Sequence, residues 1–262
     1  MTPRIARLES RALIRVAGPD ARPFLHNLLT QDVETLADGE LRFGALLSAP
    51  GRVLFDLFVR GEGEAVLLDV AAARRQALLQ RLTLYKLRAQ VTVEPDDRPV
   101  LAAWDGPLPD GFALDPRVPA LGGRSQGDAE ADASEDDYQA HRLAQGVPDS
   151  DADVPFDTAY PIEANFDLLN GIDFQKGCFI GQETTSRMKR RGSIKNRMLP
   201  LAFDGPPPPF GAEVLNGELR AGEVRSGREG SAIALLRLDR LEGQLTVDGR
   251  TVTVTKPEWL PT

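Results

Sequence analysis

Thiols are almost absent from this sequence. Cys178 is the one cysteine in 262 residues, which excludes an intramolecular disulfide and any all-cysteine metal site built by this chain alone. Histidine is scarce too, with only His26 and His141, so little supports a cysteine–histidine nucleophilic pair. No apolar run approaches the ~20 residues that a membrane-spanning helix needs, and Met1–Arg7 holds no apolar stretch of the secretory kind. A free thiol without an export signal leads to the expectation of a cytoplasmic protein. Positive charge is in deficit, and a net charge of −8 argues against DNA binding by the surface as a whole. What is present is ordinary for a globular chain: 42% apolar and 27% charged residues. The length suits one large domain or two smaller ones, and neither needs a disulfide or metal to fold.

Periodicity gives a mixed body. Residues 19–31 predict a first helix with Asp20 as its cap and Phe24, Leu25, Leu28 and Leu29 on one face. Leu41–Leu47 and Arg52–Arg60 predict two strands joined by the Ser48–Gly51 turn. In the second strand, alternation sets Val53, Phe55, Leu57 and Val59 on one face and Leu54, Asp56 and Phe58 on the other. Asp56 is thus a carboxylate among apolar neighbours. A strand at 65–70, a helix at 71–85 and a strand at 89–93 follow, which makes an α+β lobe. Asp105–Asp137 reads as surface loop, and Tyr138–Gln145 as a short helix capped at Ser134. The stretch 147–175 is irregular. Beyond Gly192, short apolar runs at 198–203, 212–215, 231–238, 245–247 and 251–255 are separated by turns, Ser226-Gly227 among them, and predict a small all-β barrel.

The chemistry concentrates in Lys176–Arg187. Gly177 and Gly181 bracket Cys178 and permit tight turns and close approach of another molecule. A helix predicted over 182–191 would place Cys178 near its positive end and near Lys176, a setting that favours a nucleophilic or metal-ligating thiol. An iron–sulfur cluster takes about four thiolate-type ligands. This chain offers one, so any cluster must be shared with a partner. Arg187, Lys189, Arg190, Arg191, Lys195 and Arg197 form a basic cluster suited to an anion: a folate polyglutamate tail, glutathione or RNA. No aromatics interleave it to favour base stacking. Trp104 and Trp259 read as core or interface residues.

Lys176-Gly177-Cys178-Phe179-Ile180-Gly181-Gln182-Glu183, with Arg187 and Gly192, closely resembles the signature of the YgfZ-type folate-binding proteins. These are relatives of the glycine-cleavage T-protein (aminomethyltransferase) and assist maturation of iron–sulfur proteins. Thr30-Gln31-Asp32-Val33, Gly51–Val59, Leu84–Arg88, Arg142–Pro148 and Pro161–Asn165 extend the resemblance over most of the chain. It implies an α+β, T-protein-like body of interleaved lobes around a folate channel (residues 1–192, changeover near 95–137, cysteine loop 176–183). A small C-terminal β-barrel follows at 193–262. It further implies a folate-binding accessory protein for assembly or repair of iron–sulfur clusters, acting through Cys178 as functional thiol and transient, shared cluster ligand. Asp56 would take a catalytic role, and tetrahydrofolate or a derivative would be held by Asp56, Tyr85, Arg88, Lys176, Gly177, Gly181, Gln182, Glu183 and Arg187. The expected partners are iron–sulfur assembly or client proteins, with no membrane and no DNA. RNA, as in tRNA modification, would be reached only through 187–197. The alternative is a tetrahydrofolate-dependent aminomethyltransferase or demethylase. Two departures count against turnover of that kind. Phe55 precedes Asp56 where the T-protein has two adjacent acids, and Ala144 stands where it has a pterin-binding glutamate.

Overall fold

The computed structural model describes residues 2–192 and 194–261. Two antiparallel sheets build the body. The strands and helices in chain order are β1 (Arg4–Arg7), β2 (Arg11–Ala17), α1 (Ala21–Leu28), β3 (Leu41–Leu47), β4 (Val53–Glu62), β5 (Ala65–Ala71), α2 (Arg75–Lys86), β6 (Thr92–Asp96), β7 (Val100–Trp104), β8 (Ala113–Leu114), β9 (Gly123–Gln126), α3 (Glu135–Ala144), α4 (Ser150–Asp153) and α5 (Gln182–Arg191). One sheet runs β3-β4-β5-β2-β6 and the other β1-β7-β9-β8. On the first sheet, Ile14, Val16, Leu57, Val59, Leu68 and Val70 pack under the apolar faces of α1 and α2. Leu13 points the other way, into a cluster with Ala6, Val100 and Trp104 of the second sheet and Tyr138 of α3. Asp56 and Phe58 share that inner face.

The alternation in β4 breaks at one point. Leu46 lies opposite Phe55 and Leu47 opposite Val53, which leaves Leu54 as an extra residue. Such a bulge inverts the phase of the strand before it, so Leu54 joins the α1/α2 cluster while Val53 joins the opposite one. Other expectations also shift. Asp20 makes no side-chain cap to α1; its carboxylate accepts from the Gln90 amide at 2.7 Å instead. The expected loop at 105–137 contributes β8 and β9, both too short to show a period. The strand expected at 89–93 falls at 92–96, where Pro95 is tolerated because β6 is an edge strand. Ser134 does cap α3, in a reciprocal box with Asp137.

The C-terminal strands β10 (Asn196–Ala202), β11 (Glu213–Asn216), β12 (Leu219–Arg228), β13 (Ser231–Arg237), β14 (Leu245–Val247) and β15 (Arg250–Val254) close into a barrel in the order β10-β13-β12-β11-β14-β15. Ser226-Gly227, expected as a turn, lies inside β12, whose pairing shifts register between Val224 and Gly227. The barrel docks on the body through Met198 and Ile233, which are buried in the body's apolar cluster, and through hydrogen bonds: the Trp259 indole donates to the Gln145 carbonyl (2.9 Å) and the Asn165 amide to the Met198 carbonyl (2.6 Å). Among the described residues no helix is long and apolar enough to cross a membrane.

Candidate functional site

Cys178 is exposed, on a loop whose flanks are pinned on both sides. On the N-terminal side, the Lys176 ammonium donates to the carbonyls of His26, Leu29 (2.7 Å) and Gln31 (3.0 Å), at and just beyond the C-terminal end of α1. Burial pushes this amine down to about 8, against the pull of Asp32 and Asp173. On the C-terminal side, Phe179 is buried against the Phe43–Phe58 cluster and Ile180 packs beneath the sheet. Gly181 has φ +78°, and a Cβ there would lie 2.6 Å from the Ser48 carbonyl oxygen and 2.8 Å from the Gly51 Cα. The β3–β4 turn therefore seats directly on the cysteine loop, and only glycine fits. Between these anchors Gly177 and Cys178 face solvent, and nothing lies within 4 Å of where a Gly177 Cβ would be.

Lys176 corrects one expectation. A protonated amine has three donors, and all three are spent on carbonyls, so it serves neither the thiol nor a ligand. Gln182 and Glu183 open α5, with Glu183 in its first turn as the helix dipole favours. Arg187, Lys189, Arg190, Arg191 and Lys195 are exposed. Arg197 leaves the basic cluster: it is buried on Asp167 (2.9 Å) and accepts no part in that surface.

Asp56 belongs to a different place. It is buried 3.4 Å from Arg11, but Arg11 gives its closer contact, 2.7 Å, to Asp69. Asp69 also takes Arg124 at 2.6 Å. Burial, reinforced by Asp149 and Asp69, outweighs Arg11 and raises the Asp56 carboxyl. For Asp69 burial is outweighed by Arg11 and Arg124, which hold it below the usual range. The Phe58 ring lies 4.0 Å from the Arg124 guanidinium, 4.8 Å from Arg117 and 5.8 Å from Arg11. Arg117 is in turn held by Asp115 (2.8 Å). Arg11 forms the floor of a cleft of about 520 Å3, walled by Ser10, Ser134, Glu135, Gln139 and Asp149. Asp149 is kept ionised, since Arg142, Arg11 and Arg117 overcome its burial.

The expected single site is thus divided in two. The cysteine loop brings together Lys176, Gly177, Cys178, Gly181, Gln182, Glu183 and Arg187, and none of these lines the cleft. Tyr85 packs against the α1/α2 cluster, on the face of the sheet opposite Asp56, and Arg88 is exposed beyond α2; neither reaches Asp56. Arg11, Asp69, Arg117, Arg124 and Asp149 escaped the sequence reading. Asp69 alone carried a signal, as one acid inside the apolar run Ala65–Ala71. Among the described residues no group of three or more His, Cys, Asp or Glu is placed to hold a metal ion.

The two-sheet body with its terminal barrel is an aminomethyltransferase fold. The glycine cleavage system aminomethyltransferase T of Bartonella henselae matches with a TM-score of 0.80 over 99% of this chain and 86% of that one, at 17% identity. The barrel matches the family described as "CAF17, C-terminal beta-barrel domain" over residues 195–262. Across 98% of its length the chain is 33% identical to the "Iron-sulfur cluster assembly factor IBA57, mitochondrial" of Mus musculus and 34% identical to that of Homo sapiens, covering 85% of each. The chain belongs to this family of iron–sulfur cluster assembly factors. The relatives are named mitochondrial, which overturns the expectation of a cytoplasmic protein. A lone reduced thiol fits any reducing compartment, so it could not separate the two.

Proposed function

We propose that the chain presents Cys178 as one ligand, or transfer thiol, to an iron–sulfur cluster whose other ligands come from a partner polypeptide or glutathione. The observation that carries this reading is an exposed thiol at the tip of a loop anchored at Lys176, Phe179 and Gly181. Rigid flanks hold the sulfur in a fixed position at little entropic cost on binding, and a single ligand requires a second donor. The cluster is cargo. The finer placement among YgfZ-type folate-binding members is part of the same proposal. The cleft is of the size that holds a small molecule, and the ionised Asp149 matches the amine and amide donors of a pterin edge. Asp151, also on the cleft wall, pairs with Arg74, whose guanidinium lies over the Phe156 ring. The acidic wall does not suit the glutamate tail. Bound there, folate would supply a one-carbon carrier or a structural ligand. Arg11 and Asp149 would hold it, with Asp56 behind Arg11.

The aminomethyltransferase reading rests on Asp56, whose raised carboxyl suits proton transfer at a nitrogen. Complementation of cells lacking the endogenous counterpart separates the two, with iron–sulfur enzyme activity as readout. Cys178→Ser should fail and Asp56→Asn should rescue. Full rescue by Cys178→Ser would end the thiol-centred reading, and failure of Asp56→Asn alone would favour one-carbon chemistry.

A further inference from the structure

On α5, Arg187, Lys189, Arg190 and Arg191 are exposed, and Lys195 follows them. Among the described residues none of these forms an ion pair, in contrast to Arg197, Arg220 and Arg228 elsewhere. Phe174 is exposed, with its ring 5.1 Å from the Lys189 ammonium in the last turn of α5. Gly181 caps the first turn. At a rise of about 1.5 Å per residue the two points lie about 12 Å apart along the helix. The segment between them, with Cys178 on it, therefore runs back along the flank of α5. Exposed cations and an exposed aromatic thus flank the short segment that carries the exposed thiol, on a protein whose net charge is −8.

We infer that this surface docks an acidic polypeptide and holds it against Cys178. The inference deepens the cluster-sharing reading and rests on it in one respect: the docked chain supplies the ligands that Cys178 lacks. A protein is favoured over RNA by three features. The stretch 187–197 offers no aromatic side chain, and Phe174 is a single ring, whereas single-strand-binding grooves stack successive bases on several. The exposed ring of Phe174 lies against Lys189 on a helix that also carries Arg187, Arg190 and Arg191, and aromatic and arginine side chains are the ones enriched in protein–protein contacts. The overall negative charge repels a long polyanion, whereas a local acidic patch feels mainly the cations within a Debye length.

The test uses the full chain and three fluorescent probes: a peptide of Asp, Glu and Leu, its Asn/Gln counterpart, and a single-stranded RNA oligonucleotide of matching charge. The acidic peptide should bind about tenfold more tightly than the neutral one at low salt, lose that advantage as salt rises, and slow alkylation of Cys178 by iodoacetamide. Arg187→Glu with Arg190→Glu should remove the preference, and Lys189→Gln with Arg191→Gln should reduce it. Equal affinity for both peptides, an undiminished preference in the charge-reversed chain, or unslowed alkylation would overturn the inference. Tighter binding of RNA with the same dependence on α5 would assign the surface to nucleic acid and overturn it as well. Cys178→Ser should keep peptide binding. If that variant also sustains iron–sulfur maturation, the functional reading fails while the docking surface stands.

Discussion

Which cation a buried carboxylate reaches decides whether it is held ionised, and Asp56 and Asp69 fall on opposite sides of that division. Asp69 is bonded by both Arg11 and Arg124. Removing it strips Arg124 of its carboxylate and leaves Arg11 only the 3.4 Å contact to Asp56, so Asp69→Ala should cost about 3–5 kcal/mol in denaturant unfolding. Asp56 receives only the longer Arg11 contact, and its folded-state pKa is raised. A carboxyl raised on folding stabilises fully below its unfolded value and loses that contribution as pH rises through the folded one. Asp56→Asn should therefore melt at or above the temperature of the unmodified chain at neutral pH, with the difference vanishing in acid. Asp69→Asn should melt lower at neutral pH, with its deficit shrinking as pH falls, because a depressed carboxyl stabilises only above its unfolded value. Thermal scans across pH distinguish the two signs. Asp56 was legible as an acid in an apolar strand, and Asp69 carried the same mark. Their arginines come from other strands, and no local pattern joins them.

At the scale of elements, the cysteine loop is defined by what it leans on. Gly181→Ala meets both a left-handed φ and the Ser48 carbonyl, and should cost about 1–2 kcal/mol from the backbone alone, plus displacement of the β3–β4 turn. Gly177→Ala meets nothing and should fold with near-normal stability; paired melts of the two variants check this contrast. Lys176→Met should lose about 2–3 kcal/mol as three carbonyls lose their donor, and should change the alkylation rate of Cys178 by loosening the loop. The motif was visible in the sequence, as were the β3–β4 turn and α5. That the turn and Gly181 touch was not, because the contact joins distant segments. The strand β12 escaped for another reason: its register shift and buried Arg225 break the alternation by which strands are recognised.

Over the whole molecule, the terminal barrel was legible in its short apolar runs separated by turns, whereas the T-protein-like body was legible mainly through family resemblance, since short strands such as β8 and β9 leave no period. The resemblance also merged two places that the fold keeps apart: an outward thiol loop beside α5, and an inward cleft floored by Arg11. The proposed cluster-sharing role belongs to the first. The direct measurement is cluster uptake under anaerobic conditions from a glutathione-bound two-iron cluster, followed by visible circular dichroism on the purified chain. The unmodified protein should acquire a chiral cluster spectrum that depends on a co-ligand thiol, and Cys178→Ser should acquire none. An equal spectrum at equal stoichiometry in Cys178→Ser would contradict the account.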